Sequence, residues 1–230
     1  MSQKHNLKHI GIIMDGNRRW AKNHGLPAME GHRRGYGKMK KVVQWCVDRN
    51  IGILTVYAFS SENWNRSKKE VGYLMDLFRQ VLSRDISEIS KQGVRIRIIG
   101  QKEKLAPDIQ KMIEEAENKT RKNKKLLFNI AISYGGRPDI LQAVKKIIKH
   151  GIPSDKITEK LISENLWTRG IADPDLIIRT SGEYRLSNFL TWQSAYSELI
   201  FVKKHWPAFS ESDFDRVIEE YNKRQRRFGK

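Results

Sequence analysis

Cysteine is almost absent: Cys46 is the one thiol in 230 residues, which excludes an intramolecular disulfide and a thiolate metal cluster. It lies in Val42-Val43-Gln44-Trp45-Cys46-Val47, an apolar helix face, and reads as core. No apolar run approaches the roughly 18 residues that a membrane-spanning helix needs. The opening residues, Met1-Ser2-Gln3-Lys4-His5-Asn6, are polar and hold no apolar signal region. A cytoplasmic protein is therefore expected, with any membrane contact peripheral. Acidic side chains are in short supply: 26 Asp and Glu against 44 Lys and Arg leave a net charge of +18. Such a field attracts polyanions, whether nucleic acid, anionic lipid or a phosphorylated small molecule. Also missing are the G-x-x-x-x-G-K-[ST] phosphate loop, the Rossmann glycine fingerprint and the G-x-S-x-G elbow. His5 and His9 have i,i+4 spacing, but His9 begins a strand, so no metal-binding pair is expected there.

What remains is enough for a core. The hydrophobic fraction of 39% supports a globular chain, and without repeat, linker or composition break it reads as a single domain over 1–230. Strands are expected at His9–Met14, Ile53–Phe59, Val94–Ile99, Leu126–Ile132, Leu176–Ile178 and Leu199–Val202. Helical spacing runs from Arg33 to about Asn50, from Val71 to Ile86 with Gly93 near its end, from Pro107 to Lys122, and from Pro138 to His150. Ser210 with Asp213 opens a last helix that runs into a basic tail at about 223–230. This alternation predicts an α/β fold with a central, mostly parallel sheet of about six strands flanked by helices. Ligands of such sheets bind beyond the carboxyl ends of the strands.

Three polar clusters fall at strand ends. In Met14-Asp15-Gly16-Asn17-Arg18-Arg19-Trp20 a carboxylate closes a buried strand, placed to share Mg²⁺ with phosphate oxygens, while the arginines would neutralise phosphate. A turn whose Asp caps the next helix fits the same residues. Arg179-Thr180-Ser181-Gly182-Glu183-Tyr184-Arg185-Leu186-Ser187-Asn188 offers the many donors a diphosphate needs, or forms a solvated basic loop. Downstream, Glu198 is a carboxylate in an apolar, aromatic stretch that wants a cation, either metal or arginine. The third cluster, Tyr57 to Arg66, mixes aromatic surface with short polar groups, as a ligand with a greasy tail and a charged head requires. Ser61 would serve there as a helix N-cap.

Together these clusters closely resemble the cis-prenyltransferase family. The matching stretches are His9 to Ala21, Gly31-His32-Arg33-Arg34-Gly35, Tyr57 to Arg66, Asn129 to Arg137 and Ile178 to Phe201, in family order over nearly the whole chain. The resemblance implies a hydrophobic tunnel, a homodimer and Mg²⁺-dependent condensation of an allylic diphosphate (farnesyl or geranyl) with isopentenyl diphosphate. It implies that Asp15 coordinates Mg²⁺ while Gly16, Asn17, Arg18, Arg19 and His32 bind the allylic diphosphate. Arg179, Arg185 and Ser187 would hold isopentenyl diphosphate, with Glu198 contributing to Mg²⁺ binding. Ser60, Glu62, Trp64 and Arg66 would order the reacting centre, and Trp20, Ser61 and Leu186 belong to the same substrate-binding stretches. Asn63 matches the position to which the family often assigns proton acceptance. A neutral amide is a weak base, so Asn63 is expected to orient substrate while a diphosphate oxygen takes the proton.

The Asp-rich DDxxD motif of trans-prenyltransferases is absent, Asp173-Pro174-Asp175 being the nearest approach, so cis double bonds are expected. Ala28 stands where many relatives carry an arginine for the allylic diphosphate. Ala58 is small where bulk would favour a short product, which leans towards a medium-chain lipid carrier. Arg226-Arg227-Phe228-Gly229-Lys230 contains an RxG motif that in some relatives reaches the partner's active site. Two other classes of protein fit the sequence less well. A non-catalytic partner subunit is disfavoured by the retained Asp15, Asn63, Arg179, Arg185 and Glu198. Specific nucleic-acid binding is not expected, because the basic residues are dispersed and no recognised module accompanies them.

Overall fold

His9–Ile13 (β1) is buried at every position, as a strand covered on both faces must be. The computed structural model describes residues 7–224, so His5 and the Arg226–Lys230 tail lie outside the described residues. After β1 come Asn17–Asn23 (α1), Ala28–Asp48 (α2) and Ile53–Ser60 (β2). Lys68–Gln80 (α3) passes through one turn of π geometry at Val81–Asp85 into Ile86–Lys91 (α4), then Val94–Ile99 (β3). Pro107–Thr120 (α5), Leu126–Tyr134 (β4), Gly136–Lys149 (α6) and Glu159–Asn165 (α7) follow. The chain closes with Leu176–Thr180 (β5), Glu198–Val202 (β6) and Glu211–Lys223 (α8).

The six strands form one sheet in the order β3-β4-β2-β1-β5-β6, and every pairing is parallel. The central strands are buried on both faces because helices cover both. Ile10, Ile12, Leu54, Val56, Phe128 and Ile178 share one face and are essentially inaccessible, while the other face buries Ile13, Ala131 and Ile177 beside a hydrogen-bonded His9–Thr55–Asn129 set. β1 pairs with β2 on one side and with β5 on the other, so the chain reverses its direction of travel across the sheet at β1. That reversal is where an open parallel sheet leaves a crevice at its carboxyl rim.

Several boundaries differ from the sequence pattern, for local reasons. α2 begins at Ala28 rather than Arg33, because Pro27 (φ −60) leads the chain in, and Ala28 and Met29 are the only apolar side chains in the helix before Tyr36, too few to show a helical rhythm. The long helix spans 68–91 but is broken in register by the π turn, which apolar spacing alone does not reveal. α7 was hidden by its polarity and is started by the Thr158 hydroxyl, which accepts from the Leu161 amide. Ser210 and Asp213 form the reciprocal cap expected of them at α8.

Candidate functional site

A cleft of ≈ 1020 Å³ opens at the carboxyl rim where β1, β2 and β5 end side by side. Its walls carry Asp15, Gly16, Asn17, Arg18, Arg19, His32, Ser60, Glu62, Asn63, Arg66, Arg179 and Ser187. Twelve residues singled out in the sequence thus converge, although they come from segments more than 160 positions apart.

The floor is an ion-pair lattice. Arg179, only 5% exposed, donates to Asp15 Oδ2 at 2.8 Å and to Ser187 Oγ at 2.7 Å, and its guanidinium also reaches the Arg185 carbonyl. Arg19 lies 3.2 Å from Asp15 Oδ1. Burial pushes the Asp15 carboxyl up, but the Arg179 hydrogen bond and the Arg179 and Arg19 charges outweigh it, so Asp15 stays ionised below the ordinary aspartate range. Asp15 does not cap α1: Gly16 occupies that place without a side-chain bond, and the Gly16 amide donates back to Asp15 Oδ1. Gly16 has φ +96, and a Cβ there would lie 2.6 Å from Ser181 Oγ, so both backbone and space demand glycine.

On the opposite wall Glu70 is the hub. Its carboxylate accepts from Arg66 at 3.0 Å and meets His32 Nε2 at 3.2 Å, with Arg18 3.8 Å away. His32 is buried, which lowers its pKa despite the Glu70 partner. The turn after β2 is closed by Ser60, not Ser61: Ser60 and Asn63 cap each other reciprocally, and Asn63 Oδ1 accepts the Ser60 amide at 3.1 Å. The Asn63 oxygen is therefore engaged, leaving its amide N–H groups for the cleft. Non-glycine residues in left-handed backbone gather at one lip, Ser187 (φ 49), Asn188 (φ 66) and Leu190 (φ 44), a concentration of strain typical of functional loops.

Other expected residues stand behind the walls or away from them. Trp20 stacks on His24 at 4.1 Å beneath Arg34, and Trp64 packs on Phe59 while donating to Ser133 Oγ. Ser61 and Leu186 do not line the cleft, and the exposed Arg185 side chain pairs with Glu183. Glu198 begins β6 opposite Leu176, at the amino rim, and pairs with Arg224 at 2.8 Å. Five strand positions, ~16 Å at ~3.3 Å per residue, separate it from the level of Asp15. Within this chain the cation that Glu198 wanted is an arginine. Conversely, Lys22 and Leu26 line the cleft from outside the three clusters, and Tyr57 and Asn188, members of those clusters, line it without having been given a role. Lys22 was detectable in principle, being four residues beyond Arg18 on the same helical face.

Magnesium fits the donor set in a specific way. Among the described residues no group of three or more His, Cys, Asp or Glu could hold a metal ion by itself. Asp15 keeps free lone pairs on an ionised carboxylate, so it suits an ion that takes one carboxylate and completes its shell with phosphate oxygens and water.

Behind the charged rim the cleft turns apolar. A cavity of ≈ 100 Å³ runs inward between α2 and α3, sharing Met14, Asn17, His32, Ala58 and Leu74 with the cleft and reaching Met39, Phe78 and Val81. Polar head-groups at the rim and an apolar channel below suit an amphiphile whose charged end stays outside.

Known proteins resemble the chain over nearly its whole length. The sequence pattern of the family described as "Putative undecaprenyl diphosphate synthase" matches residues 13–229. The chain is 50% identical over 224 residues to an isoprenyl transferase of Thermotoga maritima, covering 96% of each chain. It is 43% identical to the (2E,6E)-farnesyl-diphosphate-specific ditrans,polycis-undecaprenyl-diphosphate synthase of Legionella pneumophila, covering 96% of this chain and 95% of that one. Its fold superposes on lavandulyl diphosphate synthase from Lavandula x intermedia, crystallised with dimethylallyl diphosphate, with a TM-score of 0.95 at 37% identity, covering 99% and 100% of the two chains.

Proposed function

The chain belongs to the undecaprenyl diphosphate synthase family of prenyl transferases, and from that premise we propose that it condenses isopentenyl diphosphate with an allylic diphosphate to make a medium-chain Z-polyprenyl diphosphate. The observation that carries this reading is the continuity of the Asp15–Arg179 floor with the apolar cavity beneath Ala58. A phosphate cradle alone would suit many ligands; one that opens into a channel suits a lipid diphosphate. Farnesyl diphosphate, for which the Legionella relative is named, is the expected starter, with geranyl diphosphate next.

The residues divide the work. Arg18, Arg19 and the Gly16–Asn17 backbone face the diphosphate that leaves, with His32 in the same wall. Arg179 and Ser187 receive the second diphosphate. The family is generally metal-dependent, and we assign Mg²⁺ to Asp15, where it would offset the negative charge that grows on the departing diphosphate. The allylic C–O bond breaks, the isopentenyl double bond attacks that carbon, and a proton leaves C2 to form the new Z double bond. Asn63 directs its amide N–H groups at substrate, and a diphosphate oxygen accepts the proton.

Two further assignments rest on surface chemistry. α6 exposes Leu141 (55%), Val144 and Ile148 (69%) in one stripe, a face suited to burial against a second copy in a homodimer. The exposed Arg121, Lys122, Lys124 and Lys125 make no ion pair among the described residues, and this segment would hold the protein peripherally on anionic lipid. Flotation with anionic but not neutral vesicles, lost at high salt, is the expected behaviour.

The deciding experiment incubates the protein with farnesyl diphosphate, radiolabelled isopentenyl diphosphate and Mg²⁺. Label entering a butanol-extractable product, and not doing so with EDTA, is expected. No incorporation with any allylic starter would overturn the reading.

A further inference from the structure

Asn188 ties together three segments that meet at the cleft. It follows Ser187, the partner of Arg179, and it lines the cleft itself. Its side-chain oxygen accepts the Arg137 amide at 2.9 Å, and its carbonyl accepts the Gly136 amide at 2.7 Å. Those are the first two amides of α6, which have no intrahelical partner and which Gly135, lacking a side chain, does not cap. A backbone amide only donates, so the Asn188 oxygen faces Arg137 and its amide N–H groups face the other way. There Nδ2 donates to Glu62 Oε1 at 3.0 Å, across 126 positions of the chain.

The surroundings favour asparagine at this point. Asn188 has φ 66, a left-handed backbone that asparagine adopts more readily than most residues. A Cβ on Gly135 would lie 2.5 Å from Asn188 Nδ2, so glycine there clears the space that the amide occupies. Glu62 is a charged acceptor: burial pushes its carboxyl up, but the Asn188 bond, its own backbone amide and the Ser60 and Ser61 hydroxyls hold it below the ordinary glutamate range. Tyr57, whose hydroxyl donates to the Tyr134 carbonyl at 3.1 Å and lies 3.4 Å from the Ser187 carbonyl, braces the same lip.

Glu62 precedes Asn63, and Asn188 follows Ser187. One hydrogen bond therefore joins the immediate neighbours of two residues assigned to the same small substrate, Ser187 to its diphosphate and Asn63 to its reacting end. Both ends must be met at once, and a misplacement of about 1 Å can lower a rate by about 10²-fold.

We propose that Asn188 is a positioning residue for the second substrate: its bridge to Glu62, anchored on the start of α6, fixes the separation of Ser187 from Asn63 and with it the alignment of isopentenyl diphosphate. Asn188 acts through its neighbours rather than by touching the reacting atoms. This role rests on the prenyl transfer proposed above and adds to it the device that registers one half of the site on the other.

The test is a cycle of Asn188→Asp and Glu62→Gln, read as kcat and KM for isopentenyl diphosphate, with affinity for farnesyl diphosphate measured separately by equilibrium binding. Asn188→Asp keeps an acceptor for the Arg137 amide and suits the left-handed backbone, but it sets a carboxylate against Glu62. Its kcat/KM for isopentenyl diphosphate should fall about tenfold or more, the worth of one hydrogen bond to a charged group, while affinity for farnesyl diphosphate is unchanged. In the Glu62→Gln background the amide at position 62 can donate to that carboxylate, so Asn188→Asp should have little effect there. The comparison is with Glu62→Gln alone, which cancels any contact that Glu62 makes with substrate. Circular dichroism establishes that each variant is folded; should Asn188→Asp not fold, Glu62→Ala opens the bridge from its exposed end with α6 still capped, and the same split between the two substrates is expected. Wild-type kinetics in Asn188→Asp, an equal loss in both backgrounds, or an equal loss of affinity for farnesyl diphosphate overturns the positioning role. A wild type that incorporates no label overturns the proposed function, and the role of Asn188 with it.

Discussion

Arg179 and Asp15 hold one another across 2.8 Å at the floor of the cleft, 164 residues apart in the chain, one from strand β5 and the other from the turn just after its sheet neighbour β1. The guanidinium holds the carboxylate ionised, and the carboxylate compensates an arginine that is otherwise shut away from water. The cleft thus carries its binding charges in place before any anion arrives, which spares reorganisation at the moment of reaction.

Replacing Asp15 separates its two duties. Asp15→Asn keeps an oxygen for Arg179 but loses the negative charge that would hold Mg²⁺. Its kcat should fall about 10²–10³-fold, the scale of losing one directed electrostatic contact, with a modest change in melting temperature. Asp15→Ala also strands Arg179, and should destabilise the fold by up to about 3 kcal/mol, the lower end for a broken buried pair. Steady-state rates with thermal melts distinguish the two, and equal activity in Asp15→Asn would exclude a metal role.

Asn63 is tested by chemistry rather than by deletion. Asn63→Asp retains an acceptor for the Ser60 amide, so the turn should survive, but it removes the N–H groups that face the cleft. Activity should drop about tenfold or more, the worth of one hydrogen bond to a charged group, without a new ionisation in the pH–rate profile. Retained activity with a shifted profile would make residue 63 the base.

Acid should destabilise the protein through His9. Burial drives its pKa from 6.5 to about 4, opposed only in part by the Ala172 carbonyl and the Asp175 charge. Between those values the unfolded chain binds a proton that the folded chain refuses, so stability is intact above pH ~6.5 and falls as pH drops towards ~4. The loss is on the order of 2–4 kcal/mol. His32, also depressed by burial, adds in the same direction. Urea melts across this range should show the slope, and His9→Gln should flatten it; an unchanged slope in that variant would exonerate His9.

The α6 stripe predicts assembly. Ile148→Glu together with Leu141→Glu should convert a dimer to a monomer in sedimentation, with little effect on the monomer's own fold because both positions are exposed. A species of unchanged mass would place any dimer contact elsewhere.

Much of this was legible beforehand, and the gaps have physical causes. Buried parallel strands announce themselves as apolar runs, so all six strands, and with them the rim where Asp15, Ser60 and Arg179 meet, could be read from sequence. Which polar residues face inward could not. Trp64 and Leu186 sit in the right segments yet pack behind the wall, because the direction of a side chain in a loop has no periodicity to read. Glu198 was correctly read as wanting a cation, but only tertiary packing brings Arg224 from the end of α8 to meet it. Ser60 and Ser61 are chemically alike, and which one caps depends on where β2 stops, a boundary of one residue.

The reversal of the sheet at β1 also sets a schedule. β1 is made first and stays unpaired on one side until β5 has been synthesised, since its two neighbours come from opposite ends of the sequence. No cleft exists before then, so a nascent or truncated chain ending before Arg179 carries the Asp15 half of the cradle and none of its counterpart. Contacts so distant in sequence form late and slowly, which makes the onset of ligand binding a sensitive clock for the completion of folding.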